Sequence, residues 1–193
     1  MSILPITVCG DKILRKKAAK VTEIDDKIVK IISDMFETMR NASGIGLAAN
    51  QIGVNRQIFV VDISPVEGYE KYKPLALINP KIVSKSEETS AFEEGCLSIP
   101  DLRADIIRPK GIYIQYFDAN MKEHTIEADD LLARVMQHEF DHLQGVLFID
   151  YLDEESQKRY KKHLSKIKKR KLEINYPITV SYTHLTLPTI YSV

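Results

Sequence analysis

The stretch DDLLARVMQHEFDHLQG, residues 129–145, reads as one helix, and the rest of the chain is organised around it. Asp129 or Asp130 can cap its start, and Gly145 supplies a left-handed stop. Leu131, Val135, His138 and His142 recur at three-and-four spacing and therefore share one face. Two histidines four apart on that face offer two ligands to a divalent metal. A cysteine brought in from elsewhere completes a three-ligand set and leaves a fourth position for water. Glu139, beside the first histidine, is costly to bury without a role and is placed to carry a proton in hydrolysis. Asp141 can support a ligand from behind or face solvent.

The chain contains two cysteines, Cys9 and Cys96, which excludes a disulfide scaffold and leaves one bridge possible in principle. A free cysteine is commonly an inert small hydrophobe. Cys96, however, follows Glu93, Glu94 and Gly95 and precedes Leu97, Ser98 and Pro100, a polar, turn-prone setting in which an apolar filler has little reason to sit. A nucleophilic pair of Cys96 with His138 or His142 is a competing arrangement, but it leaves the other histidine and Glu139 unexplained.

Upstream, Ile28, Ile31, Ile32, Met35, Phe36 and Met39 fall at helical spacing within Thr22 to Asn41, with Thr22 or Asp25 as N-cap. Gly44 to Gln51, GIGLAANQ, follows as a loop. It is either a plain helix stop and turn, or a segment whose glycines let backbone approach a substrate while Gln51 donates to a developing oxyanion. It lacks the Gly-Lys-Ser/Thr ending of a phosphate-binding loop. Gln57 to Ile63 reads as a short buried strand. Leu75 to Val83, interrupted by Asn79-Pro80, is a weaker strand confined to an edge or a bend. Ile112 to Phe117 and Lys122 to Glu127 flank a turn rich in Asp and Asn and read as a hairpin. A third helix spans roughly Asp153 to Leu172. The fold class is α+β: antiparallel strands wrapped around a central metal-binding helix, with an N-terminal amphipathic helix and a C-terminal basic helix.

At 193 residues and 44% hydrophobic content the chain suits one domain, placed at residues 1–173. Residues 174–193 carry no charge and read as a tail, either a short docked strand or, from about Ser181, a non-native extension. No run of eighteen apolar residues occurs and the first twenty residues lack a signal-peptide layout, which gives a cytoplasmic expectation in a reduced compartment. A net charge of zero hides nine Lys or Arg residues and no acid between Lys158 and Lys171. Such a run is a solvated helix face or a dock for an anionic surface such as ribosomal RNA.

Taken together, GIGLAANQ, EGCLS and QHEFDH resemble the peptide deformylases in content, order and spacing, over roughly Pro5 to Asp153. The resemblance implies a hydrolase that removes the formyl group from the initiator formyl-methionine of nascent polypeptides and releases formate. It implies Cys96, His138 and His142 as metal ligands, Glu139 as acid and base, and Gln51 with the Leu97 backbone N–H as oxyanion donors. It implies a methionine pocket lined by Ile45, Phe92, Leu131, Arg134 and Val135, the Arg134 guanidinium reaching water. Gly46, Glu94 and Arg103 are expected to position the peptide or the loops. The ion implied is Fe2+ in the cell, although cysteine with two histidines also suits Zn2+, Ni2+ or Co2+. The implied partners are formyl-methionyl nascent chains and the ribosome near its exit tunnel, reached through the basic helix, with no membrane and no specific nucleic-acid sequence. Asn50 stands where the family most often has proline, a change expected to relax the loop. Two other readings remain: a zinc metallopeptidase of the HExxH kind with Glu154 or Glu155 as third ligand, and a ribosome-binding module with a structural metal.

Overall fold

The computed structural model describes residues 2–180, so the expectation of a non-native tail from Ser181 lies outside the described residues. Helix α1, Asp26–Asn41, starts one turn later than the apolar spacing allowed, because Asp25 caps it by accepting from the Ile28 N–H at 2.9 Å; such a cap is worth about 1 kcal/mol. The expected loop after it divides into a three-residue strand, β1 (Gly46–Ala48), and a 3-10 turn, Ala49–Ile52. Strands β2 (Ile58–Val61), β3 (Leu75–Lys85), β6 (Gly111–Phe117) and β7 (Glu123–Asp129) join β1 in an antiparallel sheet of order β1-β2-β3-β6-β7.

The sheet is covered on both faces, which explains the unbroken apolar run of β2. Ile58 and Val60 pack with Ile32, Met35 and Met39 of α1, while Phe59 and Val61 pack with Leu132 and Met136 of helix α2, Asp130–Gln144. Asn79-Pro80 bends β3 without ending it. Asn79 takes a positive φ of 49°, and the pairing with β6 shifts between Ile78 and Lys81. At the start of α2 the N-cap position is Asp129, which makes no side-chain cap bond, and Asp130 takes a φ of 47° while its carboxylate accepts from the Tyr69 hydroxyl. Gly145, at φ 78°, ends the helix as expected; a Cβ there would lie 2.8 Å from the Arg15 backbone.

The turn-prone setting expected around Cys96 narrows to a tight turn at Leu97-Ser98, and the residues on either side of it are strand. Thr89–Cys96 (β4) and Ile99–Pro109 (β5) form a separate two-stranded hairpin, with a register shift at Gly95/Cys96 that turns the cysteine inward. The alternation of Leu102, Ala104, Ile106 and Arg108 is the period-two signal that marks β5. Under this hairpin lies a third apolar cluster of Val8, Leu14, Ile99, Ile106, Phe148 and Ile167, the last from helix α3, Glu154–Lys168. From Lys171 to Ile178 the chain runs back with exposed and half-buried residues in strict alternation, and Ile178 forms an isolated parallel bridge with Ile6.

Candidate active site

Helix α2 delivers His138 and His142 from one face, and the inward turn at the end of β4 delivers Cys96. Cys96 Sγ lies 3.2 Å from His142 Nε2. One ligand atom from each of Cys96, His138 and His142 lies within 4.8 Å of the others, a spacing at which the three could hold a metal ion. Among the described residues no fourth histidine, cysteine or carboxylate joins this cluster, which leaves room for a small ligand. The donor set fits a borderline transition metal. His142 Nδ1 and Glu139 Oε2 are buried without a hydrogen-bond partner, and the Glu139 carboxylate needs a proton or a polar molecule in the adjoining space.

The ring of His138 is aimed from behind. Its Nδ1 bonds Glu94 Oε2 at 2.9 Å, which leaves Nε2 for the cluster. Glu94 is itself held by Arg108 Nε at 2.6 Å and Nη2 at 3.1 Å, and by Arg134 Nη1 at 3.1 Å. Burial works against its charge, yet the bonds from His138 and Arg108 and their field outweigh it and bring Glu94 down to about 2. Asp141 accepts from Arg108 Nη1 at 2.6 Å and from the Tyr151 hydroxyl at 2.9 Å, so it supports the network rather than facing solvent. The Arg134 guanidinium does not reach water: it is buried, donating also to the carbonyls of Ile106 at 2.9 Å and Ser90 at 2.8 Å. The partner that draws it inward, Glu94, lies forty residues away in sequence.

Glu139 is buried beside His138, and burial raises its carboxyl to about 7, the range of a group that exchanges protons at neutral pH. Burial likewise holds His142 well below its ordinary value and therefore neutral, the form that ligates metal. Gly46 makes this arrangement possible: a Cβ there would lie 2.5 Å from Glu139 Oε1 and 2.8 Å from Val135 Cγ1.

Gln51 is buried and oriented at both ends of its amide. Its Oε1 accepts from the Ala48 N–H at 2.8 Å, and its Nε2 donates to Ser98 Oγ at 3.1 Å and lies 3.6 Å from Cys96 Sγ. Two hydrogen bonds oppose the slackness expected at Asn50. Its Nδ2 donates to the His142 carbonyl and its own carbonyl accepts from Thr7 Oγ1 at 3.0 Å, so the side chain fastens the loop to α2 where a proline ring would have stiffened it.

These groups line one groove of about 860 Å³. Ile45, Gly46, Gln51, Phe92, Glu94, Cys96, Leu97, Arg103, Leu131, Arg134, Val135, His138 and Glu139 all border it, and His142 lies behind Cys96. Phe92 is 42% exposed at the rim, with the Arg134 guanidinium 5.6 Å from its ring centre. Arg103 is exposed, 3.6 Å from Glu93. Sequence reasoning missed Ser98, Arg108 and Tyr176; only the alternation of β5 carried a signal for Arg108. Glu154 and Glu155 sit exposed in the first turn of α3, away from the histidines, which removes them as a third ligand.

A family model described as polypeptide deformylase matches residues 3–158 and stops within α3. The chain is 47% identical over 176 residues to a peptide deformylase of Chlorobium phaeobacteroides, covering 91% of this chain and 95% of the relative. It is 51% identical over 152 residues to that of Rhizobium meliloti, covering 79% and 86%. Its structure superposes on a peptide deformylase from Ehrlichia chaffeensis in complex with actinonin with a TM-score of 0.81 and 42% identity, covering 90% of this chain and all of the other.

Proposed function

The chain belongs to the polypeptide deformylase family, metal-dependent hydrolases that remove the N-formyl group from nascent peptides, and we propose how its own residues carry out that reaction. The observation that carries the proposal is Glu139 buried with an unpartnered oxygen beside the Cys96, His138 and His142 cluster.

In this reading Cys96, His138 and His142 hold one divalent ion, Fe2+ in the cell, with Zn2+, Ni2+ or Co2+ as ions the same donors accept. Bound there, the cation acidifies water and polarises a carbonyl oxygen. Glu139 accepts the proton of the attacking water as its oxygen bonds the formyl carbon, and returns it to the amine nitrogen as the C–N bond breaks. Formate leaves and the peptide keeps a free amino terminus. The Gln51 amide and the Leu97 N–H donate to the oxygen on which charge develops. Gly46, packed on Glu139, closes the space beside the formyl hydrogen, so a larger acyl group meets backbone. Ile45, Phe92, Leu131, Val135 and the buried stem of Arg134 receive the methionine side chain. Glu94 fixes His138, and Arg103 at the rim meets the peptide backbone. The same groove is expected to take actinonin. Formate release from formyl-Met-Ala-Ser by the metal-loaded protein, lost in Glu139→Ala, tests this reading.

We also propose the ribosome near its exit tunnel as a docking partner and the cytoplasm as the site of action. Support comes from the exposed lysines of α3 and its extension, Lys161, Lys162 and Lys169 among them, and from the absence, among the described residues, of a helix long and apolar enough to cross a membrane. Truncation of α3 would remove the buried Ile167, so the cleaner test is Lys→Glu at those three positions, with ribosome co-sedimentation unchanged counting against docking.

A further inference from the structure

The segment Glu173–Tyr176 follows α3, lies outside the family-matched residues, and forms one wall of the groove. It is held on both sides. Before it, Leu172 packs on the cluster beneath the β4–β5 hairpin; after it, Ile178 packs on the same cluster. The Pro177 carbonyl accepts from the Ile6 N–H at 2.9 Å, and the Thr179 N–H donates to the Ile6 carbonyl at 2.9 Å. Thr179 Oγ1 donates to Asp11 at 2.7 Å, and Arg170 pairs with Asp11 and donates to the Thr179 carbonyl at 3.2 Å. With its neighbours fixed, Tyr176 points inward and its hydroxyl donates to the Leu97 carbonyl at 2.7 Å.

Leu97 is the residue whose N–H the reaction requires as an oxyanion donor, and the tyrosine completes a clamp around it. On one side Cys96 belongs to the ligand cluster. On the other, the Ser98 carbonyl accepts from the Cys9 N–H at 2.8 Å and the Ser98 hydroxyl accepts from Gln51. The Leu97 side chain is wedged against Gly44, where a Cβ would lie 2.8 Å from Leu97 Cδ1. The carbonyl of Leu97 is the remaining handle on its backbone rotation, and among the described residues the Tyr176 hydroxyl is the side-chain donor it accepts from. Burial beside Cys96 and Asp101 pushes the phenol up, which keeps it a donor across the working range of pH.

We infer that Tyr176 is a positioning residue for deformylation: its bond to the Leu97 carbonyl holds the Leu97–Ser98 peptide plane, and this restrains the neighbouring plane that carries the Leu97 N–H, making the terminal segment a working part of the groove. The inference rests on the hydrolase reading above. It acts at one remove from the reacting atoms, so its loss costs less than loss of an oxyanion donor itself.

The test uses the full-length, metal-loaded protein with Tyr176→Phe, which removes only the hydroxyl, and Tyr176→Leu, which removes the ring as well. Both variants are expected to lose about ten-fold in kcat on formyl-Met-Ala-Ser, with KM and metal content close to wild type. Amide hydrogen exchange at Leu97 and Ser98 is expected to rise about five-fold in both, with the core of α2 unchanged. Wild-type kcat in Tyr176→Phe with a loss only in Tyr176→Leu would reduce the tyrosine to packing and overturn the inference, as would unchanged exchange at Leu97. Wild-type protein that releases no formate overturns the hydrolase reading instead, and the exchange measurement still decides whether Tyr176 holds Leu97.

Discussion

His138 Nδ1 and Glu94 Oε2 are 2.9 Å apart, and the same carboxylate pairs with the buried guanidinium groups of Arg134 and of Arg108, which Asp141 also holds. One side chain of the hairpin therefore sets the ring orientation of His138 on the helix and shares in holding the two buried arginines between them.

Glu94→Gln keeps the shape but removes the charge. Metal affinity, measured by chelator competition, is expected to weaken by about 10- to 100-fold, and the melting temperature to fall because Arg108 and Arg134 lose their shared counterion. Unchanged affinity would show that His138 needs no support from behind.

Gly46→Ala places a methyl against Glu139 and Val135 at distances no ordinary contact allows. Either the strand or the carboxylate must shift, and a shift near 1 Å at Glu139, the proposed proton carrier, is expected to cost about 100-fold in kcat/KM with metal still bound. Near-normal turnover would mean that Glu139 has slack the geometry does not show.

Asn50→Ala cuts the fastening between the loop that carries Gln51 and the carbonyl of His142. Losing a buried hydrogen bond costs about 1–3 kcal/mol, or roughly 2–12 °C in melting temperature for a chain of this length. An unshifted melting curve would show that the loop is held without Asn50.

Asp62 ties the end of β2 to α1 and offers a pH-dependent readout. Burial pushes its carboxyl up, but bonds from the Ser64 hydroxyl at 2.6 Å and Arg40 at 3.0 Å outweigh it and hold it below its ordinary value. A depressed carboxylate contributes stability that is fully present above the unfolded value, about 3.9, and is lost as pH falls through the folded one. Asp62→Asn should therefore melt lower than wild type at pH 7, and the gap should close below about pH 4. A gap independent of pH would assign the effect to shape rather than charge.

The site was legible in sequence where local spacing carries it. The i, i+4 pair of histidines shares a face in any helix, and Glu139 between them follows automatically. The β2 strand was legible from its apolar run, although not the reason that both of its faces are buried. What stayed hidden depends on partners far along the chain. Arg134 is drawn inward by Glu94 and by β4–β5 carbonyls, Tyr176 reaches Leu97 from 79 residues away, and Asn50 meets His142 across 92. The β4–β5 hairpin was missed because its buried positions include the charged Glu94 and Arg108 while the apolar Phe92 and Ile107 are exposed, which blunts the alternation.

Formate release from formyl-Met-Ala-Ser by anaerobically prepared, metal-loaded protein, run beside Glu139→Ala and Cys96→Ala, decides whether these residues act as proposed. Turnover is expected in wild type, a loss of at least about 100-fold with metal retained in Glu139→Ala, and loss of both metal and turnover in Cys96→Ala. Metal-loaded wild-type protein that releases no formate, or a Glu139→Ala variant that releases it at the wild-type rate, would contradict the proposal.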